Sequence, residues 1–100
     1  MSETKKIINI AAFLDDAGKI VQIPAPSRTR IPTIAYLASK FEEEQIYKEK
    51  EINEIINKWH TFGDYFILRR LLIDYKFLER TPNGDKYWVV KKEKEKEGDI

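Results

Sequence analysis

Four segments of this chain repeat one apolar spacing, i, i+3, i+4, i+7. They are Ile7/Ile10/Ala11/Leu14, Ile34/Leu37/Ala38/Phe41, Ile52/Ile55/Ile56/Trp59 and Leu68/Leu71/Leu72/Tyr75. On a helix this spacing gathers four side chains into one stripe, so each segment is expected to be amphipathic and to turn its stripe inward. A helix with one apolar face must bury that face against another element. Four such helices within 100 residues therefore predict one mutually packed, mainly α domain.

The breaks between the stripes add β structure. Asp15-Asp16-Ala17-Gly18 is expected to end the first helix, with Gly18 in the left-handed cap conformation. Lys19-Ile20-Val21-Gln22-Ile23 is short and β-branched, and Pro24 and Pro26 stop it, so it reads as one strand followed by an extended loop. Pro32 fits the first turn of the second helix, where a missing N–H costs nothing. The third helix starts near Lys48 without a good cap. Thr61 with Asp64 resembles a capping box for the fourth helix, about Phe62 to Lys76, and Asp64 is an alternative cap.

After Lys76 the period changes to alternation. Phe77 to Thr81 and Lys86 to Val90 flank Pro82-Asn83-Gly84-Asp85, a strong hairpin signal. The order helix, strand, three helices, hairpin is that of a winged helix-turn-helix, an α+β fold with four helices, one short strand and a C-terminal β-hairpin wing. In that fold the lone strand can pair with the hairpin. Residues 1–92 read as the domain and 93–100 as a charged, disordered tail.

Charge excludes more than it proposes. The net charge is +1 with 35% charged residues, well short of the basicity of many nucleic-acid modules. The charges come in blocks. Ala17 to Phe41 has four basic residues and no acid, Glu42 to Glu54 has six glutamates against two lysines, and Lys58 to Arg80 is basic again. There is no cysteine, which removes disulfides and thiolate zinc sites. The start of the chain has no cleavage pattern and no apolar run of bilayer length, so no membrane association and a cytoplasmic location are expected.

His60 is the only histidine. With no other ligands at metal spacing, no glycine-rich phosphate loop and no carboxylate pair, the sequence predicts neither an enzyme nor a cofactor. His60 is expected to interact with the end of its helix.

Nucleic-acid binding is the sharper expectation. The second helix of a helix-turn-helix pair enters the major groove. Here its outward side would carry Phe66, Arg69, Arg70, Ile73 and Asp74, with Lys76 at one edge. Arginine forks suit phosphates and guanine edges. Arg80 and Lys86 flank the hairpin turn, where a wing meets backbone phosphate. Arg28 and Arg30, in the loop before the second helix, could clamp a further phosphate. Against this, Asp64 and Asp74 repel phosphate, and Phe66 and Ile73 suit a protein contact. Arg69 or Arg70 could equally pair with Asp74 or with a glutamate of the acidic helix.

Taken in order, Phe13-Leu14, Gly18, Ile23-Pro24, Phe41-Glu42, Tyr47, Glu51-Ile52-Asn53, His60, Leu68-Arg69-Arg70-Leu71-Leu72-Ile73-Asp74, Phe77-Leu78-Glu79-Arg80 and Tyr87-Trp88 resemble the bacterial domain of unknown function (DUF) 2087 family. The resemblance spans about Phe13 to Val89. Its most specific part is the leucine-arginine-arginine stretch with the two hairpin motifs. It implies a domain found alone or at the carboxy-terminal end of transcriptional regulators, with nucleic-acid binding suspected on fold grounds. Arg69, Arg70 and Arg80 match the family's basic positions and His60 its histidine. Against that pattern the chain is expected to lack a fused regulatory domain, and it carries Lys48 where a small capping residue is expected.

The sequence thus predicts a module that binds double-stranded DNA in transcriptional regulation, through Arg69, Arg70, Lys76, Arg80, Lys86, Arg28 and Arg30. The alternative is a protein-interaction or homodimerisation module using Phe66, Ile73 and the glutamate-rich helix.

Overall fold

Three of the four stripes form α-helices in the computed structural model, which describes residues 9–90. Helix α1 is Ser27–Ala38, α2 is Glu49–Lys58 and α3 is Tyr65–Asp74. A two-stranded antiparallel hairpin follows, β1 at Leu78–Arg80 and β2 at Tyr87–Val89. The described residues therefore make a small α+β protein of three helices and one hairpin. Ile34, Leu37, Ile52, Ile56, Leu68, Leu72 and Leu78 are completely buried. Each such side chain contributes about 1.5–3 kcal/mol of transfer free energy. Helix α3 packs against α1, α2 and β1, so the remaining elements are organised around it.

The first stripe makes no fourth α-helix among the described residues. Ile7 lies outside them, and the rest gives a single 3-10 turn at Ala11–Phe13. Leu14 is already extended and pairs antiparallel with Ile20. Asp15 drives the reversal, because its Oδ1 accepts from the N–H groups of Ala17 at 2.9 Å and Lys19 at 2.8 Å. A side chain that captures backbone donors in this way competes with helix formation. Gly18 is left-handed, at φ +83°, but it closes a hairpin-like turn and does not cap a helix.

The expected strand at Lys19–Ile23 reduces to Ile20 alone, and it does not join the hairpin. Ile20 bridges Leu14 on one side and His60 on the other. Its N–H donates to the Trp59 carbonyl at 2.8 Å and its carbonyl accepts from Thr61 N–H at 3.0 Å. These bonds use the pairing groups of Ile20 on the turn between α2 and α3. The place beside the hairpin belongs to Tyr47, which exchanges two 2.8 Å hydrogen bonds with Tyr87. A one-residue bridge is too short to leave an alternating pattern.

Three details of the helix ends also differ from, or resolve, the sequence reading. Helix α1 starts at Ser27, so Pro32 lies in its second turn and leaves the Arg28 carbonyl without an i+4 donor. At the start of α2, Glu51 Oε1 accepts from Lys48 N–H at 2.8 Å. That is the N3 half of a capping box; the other half, an N-cap side chain that accepts from the N3 N–H, a lysine cannot supply. At the start of α3 the cap is Asp64, whose Oδ1 accepts from Ile67 N–H at 3.3 Å.

The end of α3 fixes where the hairpin begins. Phe77 N–H donates to the Leu72 carbonyl at 2.9 Å and Lys76 N–H to Ile73 at 3.0 Å, the two bonds of a Schellman motif. The left-handed position is occupied by Lys76 at φ +67°. A side chain there costs about 1–2 kcal/mol relative to glycine. Lys76→Gly is therefore expected to raise stability by about 1 kcal/mol after the extra entropy of an unfolded glycine. Chemical denaturation checks this; an unchanged midpoint would mean that the lysine is unstrained.

Beyond Phe77 the register is Leu78↔Val89, Glu79↔Trp88 and Arg80↔Tyr87. Thr81 organises the turn, its Oγ1 accepting from the N–H groups of Asp85 at 3.0 Å and Lys86 at 3.1 Å. Tyr87 is buried and Trp88 half-buried, as alternation requires. The charged tail, 93–100, lies outside the described residues. No helix among them is long and apolar enough to cross a membrane.

Candidate functional site

The turn between α2 and α3 is built around His60, which is 5% exposed. Asp64 N–H donates to its Nε2 at 2.9 Å, so Nδ1 carries the proton and donates to the Ile56 carbonyl at 2.7 Å. One ring thereby joins the last turn of α2 to the cap of α3. Phe62 stacks edge-on against it, with centroids 4.7 Å apart. Among the described residues no group of three His, Asp or Glu side chains could hold a metal ion.

With α3 anchored this way, a concavity of about 480 Å³ opens between it and the hairpin. Arg69 and Arg70 of α3 and Arg80 of β1 line it, together with Glu49, Asp74 and Asn83. Three of the seven sequence-predicted basic residues are thus brought together. Lys76, Lys86, Arg28 and Arg30 do not line it.

The three arginines are not equivalent. Arg69 reaches across to α2, where its Nη1 lies 3.0 Å from Glu49 Oε2 and 2.6 Å from Asn53 Oδ1. Only 15% of its side chain is exposed, so it pins helix to helix. Arg70 is 70% exposed, and its Nε is 3.7 Å from Asp74 Oδ2. That is too long for a hydrogen bond, and exposed pairs of this kind are worth about 0.3–0.5 kcal/mol. Arg80 is exposed, and among the described residues its side chain bonds only the carbonyls of its own turn, Thr81 at 3.2 Å and Pro82 at 3.4 Å. Arg70 and Arg80 can therefore turn to an anion at little cost.

The other cations are more scattered. Lys86 is exposed, with its Nζ 4.0 Å from Asp85 Oδ2. Lys76 is exposed at the end of α3. Arg28 and Arg30 lie within the first turn of α1, not in a loop before it. Arg28 is exposed. Arg30 is committed to structure: its Nε donates to Tyr75 Oη at 2.7 Å and its Nη1 donates to the Ala25 carbonyl.

Beside the basic concavity, the first turn of α3 is unusually apolar for a surface. Phe66 is 59% exposed, Ile67 39% and Tyr65 37%. Sequence reasoning named Phe66 and Ile73 and offered a glutamate of the acidic helix as a partner for Arg69 or Arg70, but it did not single out Glu49 and Asn53 as the seat of Arg69. Their i, i+4 spacing on α2 puts a carboxylate and an amide on one face, which was the available signal.

Three helices leading into a hairpin, with arginines gathered between the last helix and the hairpin, define a small helix-and-hairpin protein with a basic concavity. The chain belongs to the bacterial family described as "Uncharacterized protein conserved in bacteria (DUF2087)", which matches residues 19–89. That match begins one residue before Ile20 and ends at the last residue of β2. Among curated proteins and among solved structures, nothing matches the chain.

Proposed function

We propose that this chain is a non-catalytic winged helix-turn-helix module that binds double-stranded DNA. Helices α1, α2 and α3 are its helical core, Tyr47 its first strand and the hairpin its wing. Helix α3 docks against the major groove, and Arg70 and Arg80 grip phosphates on either side of the concavity between helix and wing. Lys86 and Lys76 add longer-range attraction. Transcriptional regulation is the biological setting this reading implies.

The observation that carries the reading is the pairing of Arg70 with Arg80 across one concavity, both exposed and held only by weak or local contacts. An anion at that spot meets two guanidinium groups from two different elements. Arg69 supports the reading indirectly, by fixing α3 on α2.

The test is retention of a labelled random-sequence duplex by the full chain at low salt. Arg69→Ala is expected to retain binding while losing about 1–2 kcal/mol of stability, the worth of a hydrogen-bonded charge that is partly exposed. No retention by the unmodified chain would overturn the reading and leave Phe66 and its neighbours as a protein-contact surface.

A further inference from the structure

We propose that the exposed apolar turn of α3, Tyr65-Phe66-Ile67, reads thymine 5-methyl groups in the major groove. The inference rests on the DNA-binding reading and assigns the base-contacting chemistry of the same site. Among recognition helices, the N-terminal residues are those that reach base edges. Here they are Tyr65, Phe66 and Ile67, all substantially exposed. Arg69 follows but is held by Glu49 and Asn53, so it is not free for a guanine edge. Asp64 is occupied as the helix cap. Apart from the Tyr65 hydroxyl, the first turn therefore offers carbon surface, chiefly Phe66 and Ile67.

On a base-pair edge in the major groove, the apolar feature is the thymine methyl, and phenylalanine is among the side chains that contact it. The patch is flanked one turn later by Arg70, with Arg80 beyond it in the same concavity as Phe66. This cation pair supplies the charge complementarity that commits the apolar face to a polyanion. Phe66 and Arg70, at i and i+4, lie on one side of α3, so a phosphate held by Arg70 keeps Phe66 close to the groove.

The measurement compares an alternating A·T duplex with the same duplex in which deoxyuridine replaces thymidine. The two differ by the methyl alone. Burying one methyl is worth about fourfold in affinity, so the thymidine duplex is expected to bind at least about fourfold more tightly. Phe66→Ala with Ile67→Ala should erase that ratio while leaving the salt-dependent binding in place. Both side chains are exposed enough for the double variant to fold, which its melting temperature checks. Equal affinity for the two duplexes, with binding intact, would overturn the methyl inference and leave the DNA reading standing. Failure to bind either duplex at low salt would overturn both.

Discussion

Replacing His60 with alanine is expected to lower stability by about 2–4 kcal/mol, a fall in Tm of about 10–25 °C for a chain of this size. The buried ring satisfies two backbone groups at once, the Ile56 carbonyl at 2.7 Å and the Asp64 N–H at 2.9 Å. Alanine leaves both without their partner and opens a cavity beneath Phe62. It also loosens the joint that sets α3 against α2, and Ile20 is latched to the same turn. Thermal unfolding followed by circular dichroism measures the effect. A loss below about 1 kcal/mol would mean that water replaces the imidazole without strain. The joint would then owe its shape to apolar packing alone.

The second large effect concerns binding. Arg70→Ala with Arg80→Ala is expected to weaken duplex binding at low salt on the order of a hundredfold, since a hydrogen bond to a charged group is worth about 1.5–3 kcal/mol. The same pair of changes should leave Tm almost unmoved. Among the described residues, the Arg70 side chain makes a long, exposed ion pair with Asp74, and the Arg80 side chain bonds within its own turn. The opposite outcome, a lower Tm with unchanged affinity, would make these two arginines structural, as Arg69 is.

Much of this architecture was legible in the sequence, because the three stripes beginning at Ile34, Ile52 and Leu68 have only one way to hide. The hairpin was legible too, since Asn83-Gly84 between alternating segments admits few other conformations. The first stripe misled. Its spacing is helical, but the Asp15 carboxylate takes the donors of Ala17 and Lys19 and turns the chain back. The strand was misplaced because Ile20, in a β-branched run, pairs with a turn, while Tyr47 pairs with the hairpin without any run around it.

The candidate site was legible by residue type but not by commitment. Sequence alone offered Arg28, Arg30, Arg69, Arg70, Lys76, Arg80 and Lys86, with Arg69 and Arg70 on the groove-facing helix and Arg80 and Lys86 at the wing, but could not tell which were committed to structure. The distinction is a matter of tertiary partners. Tyr75 lies 45 positions from Arg30 and claims it, and Asn53 lies 16 positions from Arg69. A local pattern such as the i, i+4 spacing of Glu49 and Asn53 marks a polar face but not which remote arginine it will meet. Arg70 meets Asp74 only at 3.7 Å, and Arg80 is bonded to the carbonyls of its own turn, so neither is held by a distant acid among the described residues.

A basic face that meets phosphate makes duplex affinity fall with salt, and that dependence is the first measurement to make. Each phosphate neutralised contributes a slope of about −0.9 to log Kobs against log salt. Arg70, Arg80, Lys86 and Lys76 acting together predict a slope of about −3 to −4 with a random-sequence duplex. A slope near zero, or no binding at the lowest salt, would contradict the account.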